Sequence, residues 1–343
     1  VQAKANTLFA VRDAWWYVPA TPMQAKGMPT LGSTSFVADN PPFGAVFTYY
    51  LQEWPETAKA ARQKSEKTLR EQNASAPFPG WEELRAEDNE ETPQALLLIR
   101  DENENPVRWL IGAGEKGLHR TSWDLRLPAP DPISLTEPAF KPPWAGDPAG
   151  PLAAPGKYTA ELFIEHNGQL KSQGPPQAFT VKPVPTAAAG TDFAVVADFQ
   201  QKTSALLREL ASASQNMSEA SERLRYIGAA LKQTPNATAE HFATWKQLKD
   251  HLAELRMRLS GDPIRQGLDE STTPSIYGRA GQIAYGHWET RQMPTQTYQN
   301  NLAIATRDFE QFRTDLRTYL QELEQYEVAL EAAGAPYTRG RKF

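Results

Sequence analysis

The stretch Gly117-Leu118-His119-Arg120-Thr121-Ser122-Trp123-Asp124-Leu125-Arg126, answered by Pro155-Gly156-Lys157-Tyr158-Thr159-Ala160-Glu161-Leu162, decides the fold of the first half of the chain. In the first run Trp123 and Leu125 alternate with Asp124 and Arg126, the two-residue period of a half-buried strand. In the second, Tyr158, Ala160, Leu162 and Ile164 share one face, and Thr159, Glu161 and Glu165 share the other. Pro155-Gly156 opens that strand. His166-Asn167-Gly168 closes it with Asn-Gly, a strong hairpin signal. Upstream, Ala95–Ile99 and Val107–Ile111 flank the acidic turn Asp101–Pro106 as another hairpin, and downstream Ala178–Val181 supplies a last strand. Strands of this length separated by turn signals predict an antiparallel sandwich.

Toward the N-terminus, Leu8–Val11 reads as a short strand before the aromatic knot Trp15-Trp16-Tyr17. Three adjacent aromatics suit either stacking on a sugar ring or plugging an apolar edge. Asn40-Pro41-Pro42 leads into Phe43–Leu51, whose large residues on both faces predict a strand covered on both sides. Glu56–Gln72 is rich in Ala, Lys, Glu and Arg, with Ala61, Ser65 and Leu69 at helical spacing, and reads as a charged surface helix inserted between strands (residues 56–72). Asn73–Glu91 reads as a loop in which Phe78 and Trp81 anchor onto the sandwich. The irregular segment Pro128–Pro155 is too rich in proline for a sheet interior, because proline cannot donate to a ladder. Its Phe140 and Trp144 either dock into a partner's groove or belong to a strap over the chain's own domain.

After Pro183–Gly190 the pattern turns helical. Phe199, Leu206, Ala213, Ala220 and Ile227 sit seven apart, and Thr203, Leu210, Met217, Leu224 and Leu231 repeat the spacing four residues on. That 3–4 alternation predicts a coiled-coil seam on one long helix ending at Thr234-Pro235-Asn236. Trp245, Leu248, Leu252, Leu255 and Leu259 mark a second helix, stopped at Gly261-Asp262-Pro263. A shorter one starts at the N-cap Ser275 and runs through Ile276, Ala280, Ile283 and His287. The last carries an unbroken stripe from Tyr298 to Leu330 and ends at Gly334-Ala335-Pro336. The expected architecture is therefore α+β with two domains. The β-sandwich, with its helical insert and proline-rich loop (128–155), takes residues 1–185; an antiparallel coiled-coil-like bundle takes 191–335; a solvated basic tail takes 336–343.

A net charge of −5 argues against nucleic acid, which needs a concentrated basic surface. There is no cysteine, hence no disulfide, thiolate catalysis or cysteine metal site. No apolar run approaches the ~20 residues of a membrane span. The chain begins with Val and carries no signal peptide, and it reads as a piece of something longer. The five histidines (119, 166, 241, 251, 287) lack metal-like spacing, and His287 on a helical stripe reads as a packed core residue. Asp101–Asn105 begins like an EF-hand loop but has Pro106 where Gly is required and Gly112 where Glu is required. No pair of acids is marked for glycosidase chemistry; Glu289 and Asp124 are nominated by guesswork alone. No catalytic residue, metal or cofactor is expected. Three sequons, at Asn73, Asn216 and Asn236, match chance at this length.

The run from the acidic turn through Pro106-Val107-Arg108, His119–Arg126, Gly150-Pro151-Leu152 and Ala154–Leu162 resembles the immunoglobulin-like module of the flagellar hook-capping protein. Over nearly the whole chain, including Asn40-Pro41-Pro42, Met293-Pro294-Thr295-Gln296 and Ala333–Arg341, the sequence is similar to the region after the β-propeller in bacterial sortilin-like proteins, often labelled BNR-repeat glycosyl hydrolases. Where those proteins show Thr-Pro-Gly-Arg near the end, this chain has Thr338-Arg339-Gly340-Arg341. The resemblance implies an immunoglobulin- or fibronectin-like sandwich, a sortilin-like propeller as partner, and a secreted, periplasmic or cell-surface location. The expected function is a non-catalytic module that contacts or stabilises that propeller through Trp15, Trp16, Tyr17, Phe140 and Trp144. The alternatives are part of a glycoside hydrolase whose site lies on the propeller, or a carbohydrate-binding module; other proteins and glycans stand as further partners.

Overall fold

The computed structural model describes residues 4–19, 38, 40–136, 139–142, 146–185 and 190–341. It divides into two compact units, Val1–Leu127 with Leu152–Ala187, and Pro128–Pro151 with Ala188–Phe343. Residues 128–151 of the proline-rich segment thus group with the helices rather than with the strands that flank them.

The first unit runs β1 (Thr7–Leu8), β2 (Ala14–Trp16), β3 (Ala45–Leu51), α1 (Ala58–Glu71), α2 (Trp81–Asn89), β4 (Gln94–Asp101), β5 (Pro106–Gly112), β6 (Gly117–Trp123), β7 (Gly156–His166), β8 (Gln169–Ser172) and β9 (Gln177–Pro183). β1, β3 and β6 form one sheet; β2, β9, β7, β4 and β5 form a larger one, with β8 paired to β7. Alternation sets the inward face: Ala45, Phe47, Tyr49 and Leu51 of β3 are buried, as are Tyr158, Ala160, Leu162 and Ile164 of β7. The sheets meet through rings. Trp123 lies 5.4 Å from Tyr158, and Phe47 lies 5.6 Å from Phe179. Tyr49 fits because Gly112 has no side chain, since a Cβ there would stand 2.2 Å from the hydroxyl that donates to the Ala113 carbonyl. Asn167 and Gly168 both take left-handed backbone (φ 51° and 72°), the two-residue geometry that lets β8 fold back on β7.

Four expectations change in this unit. The larger sheet is mixed rather than wholly antiparallel, because β2 runs parallel to β9 with Trp15 opposite Lys182. The strand expected over 117–126 stops at Trp123, because Leu125 turns into left-handed backbone at φ 58°. There the Trp123 indole donates to the Arg126 carbonyl and the Asp124 carboxylate accepts from the Arg126 amide, a knuckle that buries Leu125. β3 is buried on one face and half-buried on the other, not covered equally. The segment read as a loop after α1 contains α2.

The second unit comprises α3 (Phe193–Leu231), α4 (Ala239–Ser260), α5 (Pro263–Gly267), α6 (Ile276–His287) and α7 (Gln296–Ala332). Side chains of Asp192, Asp262, Ser275 and Thr295 each accept from first-turn amides, so the cap residues fix where four of these helices begin. All ten residues of the two seven-spaced series on α3 are buried. Eight of them, from Leu206 to Leu231, share one core with Leu248, Leu252, Leu255 and Leu259 of α4, Ile276 and Ala280 of α6, and the α7 stripe from Ala305 to Leu330. An ion pair is set into this core: Arg223 donates from Nε and Nη2 to both oxygens of Glu327, at 2.9 and 2.5 Å. The tail is not simply solvated, because Arg341 is 8% exposed and pairs with Glu331 at 2.7 Å, while Arg339 stays out in solvent. No helix among the described residues is long and apolar enough to cross a membrane.

Candidate interaction surface

Several titratable groups have structural partners. His119 Nε2 lies 2.6 Å from the Glu115 carbonyl, His166 lies 3.1 Å from Glu90, and His241 closes the capping box of α4 with Thr238. His287, 2% exposed, has Nε2 at 3.0 Å from the Gln292 carbonyl, so that nitrogen carries the proton. Its Nδ1 faces the Gln200 amide nitrogen at 3.4 Å and accepts from it. Burial pushes the His287 pKa below the usual value, and the Gln292 carbonyl pulls weakly the other way. In the acidic turn, Asp101 accepts from the amides of Asn103 and Asn105 and from the Asn105 side chain. Burial alone would raise that carboxyl, but these bonds hold it below its ordinary value. Among the described residues, no three His, Cys, Asp or Glu side chains are gathered to hold a metal ion.

The aromatic knot separates by strand geometry. Successive residues of β2 point to opposite sides, so Trp16 goes in and its neighbours go out. Trp16 is 3% exposed and donates its indole N–H to the Ala153 carbonyl at 2.8 Å, so its ring is used by the chain's own core. Trp15 is 55% exposed, and Tyr17, also on the surface, sets its ring edge-on to Phe43 at 4.8 Å. Beside them, Lys182 pairs with Asp13, which holds that carboxyl below its ordinary range. In the proline-rich segment Pro130 and Asp131 line a small pocket together with Leu207, Ala211 and Trp288, and Phe140 is exposed. Trp144 lies outside the described residues.

The residues that sequence reasoning misplaced are Phe78 and Trp81. Expected as anchors, they are 62% and 69% exposed, and their rings meet edge to face at 5.1 Å. Phe78 lies between α1 and α2 and Trp81 is the first residue of α2; the two helices form a helical hairpin with no buried residue in either arm. Polar bonds hold the hairpin. Arg62 grips Glu87 from Nε and Nη2 at 2.7 and 2.8 Å and reaches Glu66 at 2.5 Å. The guanidinium keeps the Glu87 carboxyl below its usual range. At the base, Glu90 accepts from the Ala58 amide and meets His166, and the Glu91 amide donates to Asn167, which ties the hairpin to the β7–β8 turn. Gln72 ends α1, and Asn73 follows in left-handed backbone at φ 56°. The hairpin therefore presents two large rings away from its clamped base.

Comparison of the chain with protein-family models, with curated proteins and with solved structures gave no match in any of the three.

Proposed function

We propose that this chain is a non-catalytic interaction module whose partner is a sortilin-like β-propeller, the partner suggested by the sequence resemblance. On this reading the β unit is an immunoglobulin- or fibronectin-like sandwich, the helical unit is an antiparallel coiled-coil-like bundle, and the protein works at the cell surface or in a secreted or periplasmic setting. The observation that carries the reading is the α1–α2 hairpin, which orders 14 and 9 helical residues without burying one of them. Fixing a residue's backbone costs about 1–2 kcal/mol, and exposed ion pairs return about 0.2–1 kcal/mol each. Such a segment gains most if another surface covers Phe78 and Trp81, where each ring would contribute about 2 kcal/mol. In the same unit Trp15 and Tyr17 offer further exposed rings, with Trp16 fixing β2 beneath them, and in the helical unit Phe140 offers a separate one.

Titration calorimetry of the whole chain against a purified sortilin-like β-propeller tests this directly. Binding should weaken at least about tenfold in the Phe78→Ala/Trp81→Ala variant, with the melting temperature unchanged. A propeller that gives no heat with the unaltered chain, or binds both proteins equally, removes the support for the reading. Turnover of a chromogenic glycoside by the chain alone would replace it with an enzymatic one.

A further inference from the structure

The two grooves beside α4 differ in charge. The groove shared with α7 is lined by Glu240, Glu322, His241 and His251. The groove shared with α3, about 710 Å³, has an apolar floor of Leu224, Leu231 and Leu252 with Phe242 and Trp245 along one side. Its charged lining residues are Arg225, Lys232, Lys249 and Arg256, without one carboxylate, in a chain whose net charge is −5. Arg225 has Glu222 at 3.7 Å, and Lys249 lies over the Trp245 ring at 5.1 Å. Lys232, Lys249 and Arg256 make no ion pair among the described residues.

The wall is built rather than accidental. Trp245 donates its indole N–H to the Leu224 carbonyl at 2.9 Å, which lays the ring on the α3 backbone. Gly228 makes the room, since a Cβ there would come within 2.6 Å of the indole. Phe242, one turn earlier on α4, remains 42% exposed. From Ser221 to Lys232 the groove follows α3 for about 16 Å, or three turns. The cations stand on both margins along that length, Arg225 and Lys232 on α3 and Lys249 and Arg256 on α4.

The geometry points to a seat for an acidic amphipathic helix of another protein. A fatty acid or a single phosphate offers one anionic head to four spaced cations. A helix offers an apolar stripe at i, i+3/i+4 and i+7 for the floor, with Asp or Glu on both flanks for the margins. The site lies wholly in the helical unit, shares no residue with the α1–α2 hairpin, and does not depend on the propeller reading.

A random display library of peptides about sixteen residues long, as helices more than long enough to span the groove, is panned on the whole chain and counter-selected on Lys249→Glu/Arg256→Glu. Peptides retained by the unaltered chain and lost on the variant should carry Leu, Ile or Phe at helical spacing between acidic flanks. A synthetic copy should bind the variant at least about tenfold more weakly and should weaken as salt is raised. Neutral or basic peptides with the same variant sensitivity, or no variant-sensitive peptide at all, would overturn the proposal. Variant-sensitive binding of laurate or phosphatidylglycerol vesicles without acidic peptides would overturn it in favour of a lipid. Helical content and melting temperature check that the variant folds, and Phe242→Ala makes the same discrimination through the apolar wall.

Discussion

α1 and α7 are both charged helices with good helix-forming residues, yet they are stabilised by opposite means. α7 carries an apolar or aromatic side chain at every third or fourth position, and Ala305, Phe309, Phe312, Leu316, Tyr319, Leu323, Tyr326 and Leu330 are all buried. α1 offers Leu69 as its one large apolar residue and buries nothing. Propensity and capping make both segments helical; the stripe alone decides whether the rest of the chain has a use for the helix. A helix of the first kind is explained by its own core. A helix of the second kind points outward, and here it leads to two exposed rings.

The contrast can be broken most strongly at Phe312, which is fully buried between the helices. Phe312→Ala should lower the unfolding free energy by about 4 kcal/mol in a urea titration, whereas Leu69→Ala in α1 should change it by less than about 0.5 kcal/mol. Next comes the pair Arg223–Glu327, whose side chains are 17% and 5% exposed. Glu327→Ala leaves the guanidinium without its partner and should cost about 3 kcal/mol, read from the same titration. Disrupting Arg62–Glu87, whose side chains are 25% and 8% exposed, should leave the global midpoint where it was, because the hairpin around that pair buries no residue. Trp16→Phe, which leaves the Ala153 carbonyl without its donor, should cost about 1 kcal/mol.

The smallest effect is one of pH. The His287 pKa is depressed in the folded chain, so the neutral ring contributes stability that is complete above about 6.5, the ordinary value. As pH falls below that value the unfolded chain takes up the proton first, and stability declines until the folded value is passed. The urea midpoint should therefore drop between neutral and mildly acidic pH, and His287→Gln should flatten that slope.

Periodicity made the helical core legible. The seven-spaced residues of α3 and the stripe of α7 appear in the sequence as they lie buried, and Ser275 marks a start that the structure keeps. The β unit was legible in its long strands, because Tyr158 to Ile164 alternate without interruption. Strand direction was not: whether β2 pairs parallel or antiparallel with β9 depends on residues 167 positions apart in register, and nothing local encodes it. The split of Trp15 from Trp16 follows from strand alternation once the segment is read as a strand. α2 escaped because Trp81 and Leu84 are its only large apolar residues and its N-cap, Gly80, offers no side-chain acceptor. Glu82 and Glu83 in its first turn were the available signal. The cationic groove had no sequence signature, because its four charges come from two helices and converge only when α3 and α4 pack.

Excision of residues 58–89, joining Thr57 to Glu90 through a short Gly-Ser linker, tests the central claim most directly. If the hairpin serves a surface outside its own chain, the shortened protein will melt within about 2 °C of the full-length one. A fall of more than about 5 °C would show that the hairpin stabilises the chain it belongs to, and the account would be contradicted.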